Sequence, residues 1–437
     1  MKNFFLFAIA TLFMSSCQSD DTADASFSMK AAGADYSGYP ATVQTVSGDI
    51  TTNTTWTNDR VWEINGIVRV KSGATLTIQA GTFIKAKPLP EGYPTGVLVI
   101  TKTGKIDAQG TANAPIIFTS YNLLDGNANT AARPGDFGGI VLLGDAQVNN
   151  SQYTNLVEGL DFNRLSNYAE LYYGGTNNAH NAGILNFVRI EFPGCTLGYE
   201  TTYTIEANGL TLAGVGSGTF IDHIQVSYGK DDSFEFLGGK VNVSHLVSFA
   251  PDDDNFDFDL GYTGTITKAI AIANGNSSHS YVGGNPDSNG IELDNNAGGT
   301  TTILITRPVI SQMSIIGVSS TTVADLYENA IQVRRLGQIS LANVTVTGYN
   351  KGINWESPSL PSNSTWSALS IHGFDNAITP TATILGIGSV ISIVNPAPKW
   401  GLTQPFFNDG ALDLSGTTGA FKTEANWTNT WTKFNNF

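Results

Sequence analysis

The chain has 437 residues, 41% hydrophobic and 14% charged, with 47 glycines and a formal net charge of −15. The apolar content is ample for a core, and the glycine content suits many tight turns better than helices. Clustered lysine and arginine for phosphate contacts are missing, and no P-loop or GxGxxG stands in a strand-to-helix setting, which argues against nucleic acid and nucleotide alike.

In chain order, Lys2, an apolar run from Phe4 to Met14 and Ser15-Ser16-Cys17 make the charged, apolar and small-residue sequence of an export signal over residues 1–16. The run is too short to span a bilayer as a helix. It resembles a bacterial lipoprotein signal with Cys17 as the acylated residue, which would tie the chain to an outer membrane. Gln18-Ser19-Asp20-Asp21 is similar to the acidic tag of surface-exposed lipoproteins in Bacteroidota, and Asp21-Thr22-Ala23 to their O-glycosylation motif, with Thr22 as acceptor. Residues 17–45, rich in Ala, Asp, Ser and Gly without periodicity, read as a flexible tether. Cys195, the only other cysteine, reads as a small buried hydrophobe.

A single body is predicted over 46–437, with terminal caps. Short alternating runs at 49–87, 97–120 and 138–148 end at Gly, Asn or Asp, and read as the first turns of a stack. Residues 149–181 lack strand pattern and are predicted to form a long excursion, with VEGL (157–160) and YYGG (172–175) docking it on the body. From Asp222 onward a repeat is explicit: HIQVSY at 223–228 returns as HLVSFA at 245–250, and DDSFEF at 231–236 returns as DDNFDF at 253–258, both 22 residues later. That period, with two short strands per unit, predicts one rung of a parallel β-solenoid. The second strand recurs at NGIELDN (289–295), NAIQVRR (329–335) and KGINWES (351–357), and the first at AIAIAN (269–274) and NVTVTG (343–348). Phe421, Trp427, Trp431 and Phe434 are predicted to cap the open end of the stack.

ITTNTTWTND (50–59), NGLTLAGVGSGT (208–219), IDHIQVSYGKDDSFEFLGG (221–239), DDNFDFDLG (253–261) and WTNTWTKF (427–434), together with VEGL and YYGG, resemble a family of bacterial β-helix lipoproteins of Bacteroidota and some Proteobacteria. The resemblance implies an all-β fold, a single-stranded right-handed parallel β-helix of the pectate-lyase class with long loop insertions. It carries no established activity.

Aligning the rungs places Glu235, Asp257 and Glu292 in one column pointing out of the barrel, Asp231 and Asp253 in a second, and Asp232, Asp254 and Asn289 in a third. Two carboxylates about 5 Å apart repel by about 3 kcal/mol at an effective dielectric of 20, so such columns call for compensation. Calcium is one expectation, with Asp231, Asp232, Asp253, Asp254 and Asp257 as ligands. A lyase or hydrolase site is another: Glu235, Asp257 and Glu292 as acids, and Arg334, aligned with Asp259 and Asp294, as base or ion-pair partner. That reading requires an open cleft above these residues. The third expectation is turn capping and ion pairing. His223 and His245 predict a stacked, hydrogen-bonded imidazole pair. The leading expectation is a surface lipoprotein whose β-helix binds an extended glycan without chemistry; a subunit of an outer-membrane protein complex is the alternative partner reading.

Overall fold

The computed structural model describes residues 36–434 apart from 37, 89–94, 128, 151–154, 158–159, 161–169, 200–203, 275–276, 278–279, 283–284, 301–303, 318–326, 360–362, 381–390 and 394–418. Cys17 and Thr22 lie outside the described residues. The body is a parallel β-helix, consistent with a right-handed coil, whose first strand, Val43–Ile50, pairs with Val61–Val70. The later strands of the coil pair in parallel with their counterparts one turn on, while Thr196–Tyr199 with Thr204–Glu206 and Tyr281–Val282 with Asn285–Pro286 form two small antiparallel hairpins outside it. Phe234 faces Phe256, their rings stacked at 5.0 Å, and Glu235 faces Asp257. The 22-residue step is therefore one turn of the coil.

Three faces result. Six strands, Gly183–Glu191, Phe220–Ser227, Val243–Phe249, Thr265–Ile272, Val309–Ile316 and Ser340–Thr347, each serve two of them. Their N-terminal halves form face II and their C-terminal halves face I. The bend between the halves is a single non-glycine residue per turn in the left-handed region: Phe187 (φ 50°), His223 (54°), His245 (54°), Lys268 (60°), Gln312 (57°) and Asn343 (56°). Each bend costs about 1–2 kcal/mol for an L-residue, and what it gains is a side chain thrown outward into a ladder. Face III is built from short strands such as Leu210–Ala213, Phe234–Leu237 and Phe256–Asp259. Close stacking leaves no room for a Cβ at Gly183 (φ 116°), which would sit 1.8 Å from the Ile106 carbonyl oxygen.

Alternation puts one residue in two inside. Ile224, Leu246, Ala269, Met313 and Val344 form a dry column behind face I, all but fully buried. The outside of face III is covered as well. Val97, Val99, Val141, Ala213 and Leu237 pack beneath Val157, Leu160, Leu171 and Tyr173, so the excursion docks through VEGL and YYGG as the sequence predicts. Cys195 lies in the same cluster, 3% exposed, and its sulfur accepts the Thr95 N–H.

The aromatic C-terminal segment departs from expectation. It does not close the end of the stack; it runs lengthwise along face I, back toward the N-terminus. Lys422 bonds Asn343, Thr423 bonds Gln312, Glu424 pairs with Lys268, Trp427 packs edge-on to His245, and Trp431 to His223 and Phe187. Further along, Lys433 exchanges backbone bonds with the Gln225 side chain, and Phe434 meets Phe249. The cause is the ladder itself: six outward side chains in a row offer polar and aromatic partners to any chain laid along them. Tyr36 anchors beside this strap, bonding Glu191 and lying under the Lys433 ammonium.

Candidate functional site

Where the chain turns from face I into face III, five side chains form a continuous ladder. Asn208 Oδ1 accepts the Asp232 N–H at 3.1 Å, Asp232 Oδ1 the Asp254 N–H at 2.9 Å, Asp254 Oδ1 the Asn289 N–H, and Asn289 Oδ1 the Asn329 N–H at 3.2 Å. Each acceptor satisfies a backbone donor one turn on that the buried corner would otherwise strand. The sequence aligns 232, 254 and 289; Asn208 and Asn329 also belong, and the recurring Asn before an apolar strand in NGLTL, NGIEL and NAIQV is the signal that marks them.

The acid column stands on face III as aligned. Glu235 pairs with Asp257 and Asp257 with Glu292, and the column runs on to Gln332 and Asn354. These residues point out of the barrel, yet Asp257 is 9% and Glu292 2% exposed; Glu235 is partly exposed. Among the described residues, neither the Asp257 nor the Glu292 carboxyl lies open to solvent. Arg334 is held by Glu292 and, in a forked pair, by Asp294 at 3.1 and 2.9 Å; Arg335 adds a 2.6 Å bond to Asp294. A guanidinium gripped by two carboxylates is a structural counter-ion, which is the ion-pair alternative of the two expected for Arg334.

Burial governs the protonation of this region. It pushes the Asp257 carboxyl well up, reinforced by Glu292, Asp259 and Glu235. Burial also raises Glu292, with Arg334 pulling the other way and Asp287 and Asp294 adding to the rise. Burial followed by Asp231 and Asp254 raises Asp232, and burial followed by Asp253 and Glu292 raises Asp254. Asp259 is pushed up to about 7 by burial and Asp294.

Of the five expected calcium ligands, Asp231, Asp232 and Asp253 bring carboxylate oxygens within 4.8 Å of one another. Asp254 and Asp257 are not in that group; the first serves the ladder and the second the acid column. Three carboxylates are hard donors of the right kind, short of the six to eight oxygens that calcium takes.

The imidazole pair is present, and FVRIEF (187–192), an earlier copy of the same strand, adds Phe187 to its column. His223 and His245 stack at 4.2 Å with planes 12° apart, Phe187 continues the stack at 4.2 Å, and Asp222 reaches both rings, at 3.1 Å to His223 Nδ1 and 2.6 Å to His245 Nδ1. Asp222, His223 and His245 bring one ligand atom each within 4.8 Å of one another, yet parallel rings so spaced do not direct both lone pairs at one ion in their planes, and His245 is hydrogen-bonded to Asp222. Burial pushes the Asp222 carboxyl up, but bonds from His223, His245 and Ser244 outweigh it and hold it below the usual range.

A three-faced parallel coil with inward aliphatic columns and a polar corner ladder defines a β-helix protein of the pectate-lyase class. A family model described as a pectate-lyase like beta helix domain matches residues 48–432, and the chain belongs to that family. Neither the curated proteins nor the solved structures searched contain a match.

Proposed function

We propose that this chain is a non-catalytic surface protein of a bacterial outer membrane, held by a lipid on Cys17, that binds an extended neutral glycan along the outside of face II. One observation carries the reading: face II is the bare side of the coil. The outer side of face I lies under the C-terminal strap, and that of face III under the excursion or buried among its own acids. On face II, Asn186, Asp222, Ser244, Thr267 and Ser311 form a partly exposed polar column at rung spacing, and Ile184, Phe220, Asn242, Thr265 and Val309 form the next. Phe220 is 50% and Val309 45% exposed. Amides, hydroxyls and the Asp222 carboxylate spaced about 4.8 Å apart beside an open aromatic ring suit a run of sugar rings, the ring stacking and the polar column fixing register. Export, the tag after Cys17 and the long tether favour the cell surface as the place of action.

The competing reading, a calcium-dependent lyase or hydrolase using Glu235, Asp257, Glu292 and Arg334, is weakened by the burial of Asp257 and Glu292 and by the ion pairs of Arg334. A glycan array paired with a lyase assay on the mature protein separates the two. Binding that falls at least tenfold in Phe220→Ala, without unsaturated products, supports the proposal. Turnover that survives Phe220→Ala and dies with Asp257→Asn overturns it. Recovery of an outer-membrane complex, with no glycan bound, moves the function to the subunit alternative.

A further inference from the structure

We propose that His245 makes the C-terminal strap a pH-responsive latch, closed more firmly in acid than in base. His245 Nδ1 lies 2.6 Å from Asp222 Oδ1, and Nε2 lies 3.4 Å from Glu424 Oε2 on the strap. A neutral imidazole has one N–H and one lone pair, so in either tautomer one nitrogen turns its lone pair toward a carboxylate oxygen. Imidazolium donates to both. Protonation thus converts the weaker of the two contacts into a charge-assisted bond joining the strap to the wall of the coil.

The surroundings set the stoichiometry. From Phe220–Ser227 come Asp222 and His223; from Thr265–Ile272 comes Lys268, which pairs with the same Glu424 oxygen; the strap contributes Glu424. His223 is stacked on His245 at 4.2 Å, and two imidazolium ions face to face would repel. Two carboxylates, one ammonium and one imidazolium leave the closed latch balanced, whereas the neutral pair leaves it one charge short. Trp427 and Trp431 stand edge-on to the two rings, at 5.1 and 5.4 Å, and pin the strap over them. Beyond the latch, the turn at Gly419–Phe421 seats on face I, with the Ala420 N–H bonded to Ser314, and Phe434 covers Phe249. Opening would bare that face to a partner.

Hydrogen–deuterium exchange of the amides at 420–433 in the full mature protein, corrected for intrinsic rate, reads the latch directly. Between pH 8 and pH 5 the protection factor of these amides rises about threefold to fivefold, the size of one partly exposed ion pair, while face III amides do not follow. His245→Gln abolishes the rise. Glu424→Gln abolishes it too, and because Glu424 is 46% exposed that variant folds whatever the fate of the first. Protection independent of pH, or a full rise in Glu424→Gln, overturns the proposal.

Discussion

Replacing Arg334 with methionine keeps the packing of its stem and removes the charge. The guanidinium lies between Glu292, 2% exposed, and Asp294, 4% exposed. Removing one partner of a buried pair costs about 3–5 kcal/mol, because the carboxylate left behind has lost its solvation and its counter-ion together. Asp294 keeps Arg335 at 2.6 Å, so Glu292 bears most of the loss and the lower end, about 3 kcal/mol, applies here. That is a large share of the roughly 5–15 kcal/mol that holds a domain folded. The sign with pH follows from Glu292, whose carboxyl burial already pushes up and Arg334 pulls down. Without the arginine it binds a proton more readily, so the penalty shrinks in acid. Urea unfolding should show the full loss at pH 8, a smaller one at pH 5, and most of it restored at pH 8 when Glu292→Gln is added. An unchanged midpoint at pH 8, or an equal loss at both values, would refute the counter-ion role of Arg334.

Asp259 is raised to about 7 and Asp287 to about 6, burial being the first cause in both. Folding therefore retains their protons. The stability they contribute is complete below the unfolded value of about 4 and is lost as pH rises through 6 to 7. A carboxyl held near 7 sets a ceiling of about 4 kcal/mol for Asp259, reduced to about 1–2 because the side chain is partly exposed. Urea midpoints in EDTA should fall from pH 5 to pH 8, and Asp259→Asn should flatten the slope; an unaltered slope contradicts this account. Ala368, exposed with φ 52°, continues the bend column. Ala368→Gly should be neutral or stabilising by up to about 1 kcal/mol in thermal melts, the reverse of glycine in an ordinary strand, and a clear loss would remove strain from the description. Calcium at a hundred times its dissociation constant would add about 2.7 kcal/mol through Asp231, Asp232 and Asp253. A melting temperature unmoved by millimolar calcium removes the cation from this group.

The sequence alone determined the coil and its vertical registers. A repeat step equal to one turn leaves no freedom in which residue lies above which, so Phe234 over Phe256, Glu235 over Asp257 and His223 over His245 follow from spacing. The apolar alternation likewise assigned inside and outside. What the tertiary structure decided is which outer faces are reached by solvent. Asp257 and Glu292 are outward yet buried, and the terminal aromatics lie along a wall and not over an end, because long segments dock according to surfaces that exist only once the coil has formed. Asp222 became the partner of two imidazoles for the same reason: its role is fixed by a neighbour one turn away and a strap some 200 residues further on, and no local pattern in the chain encodes such a meeting.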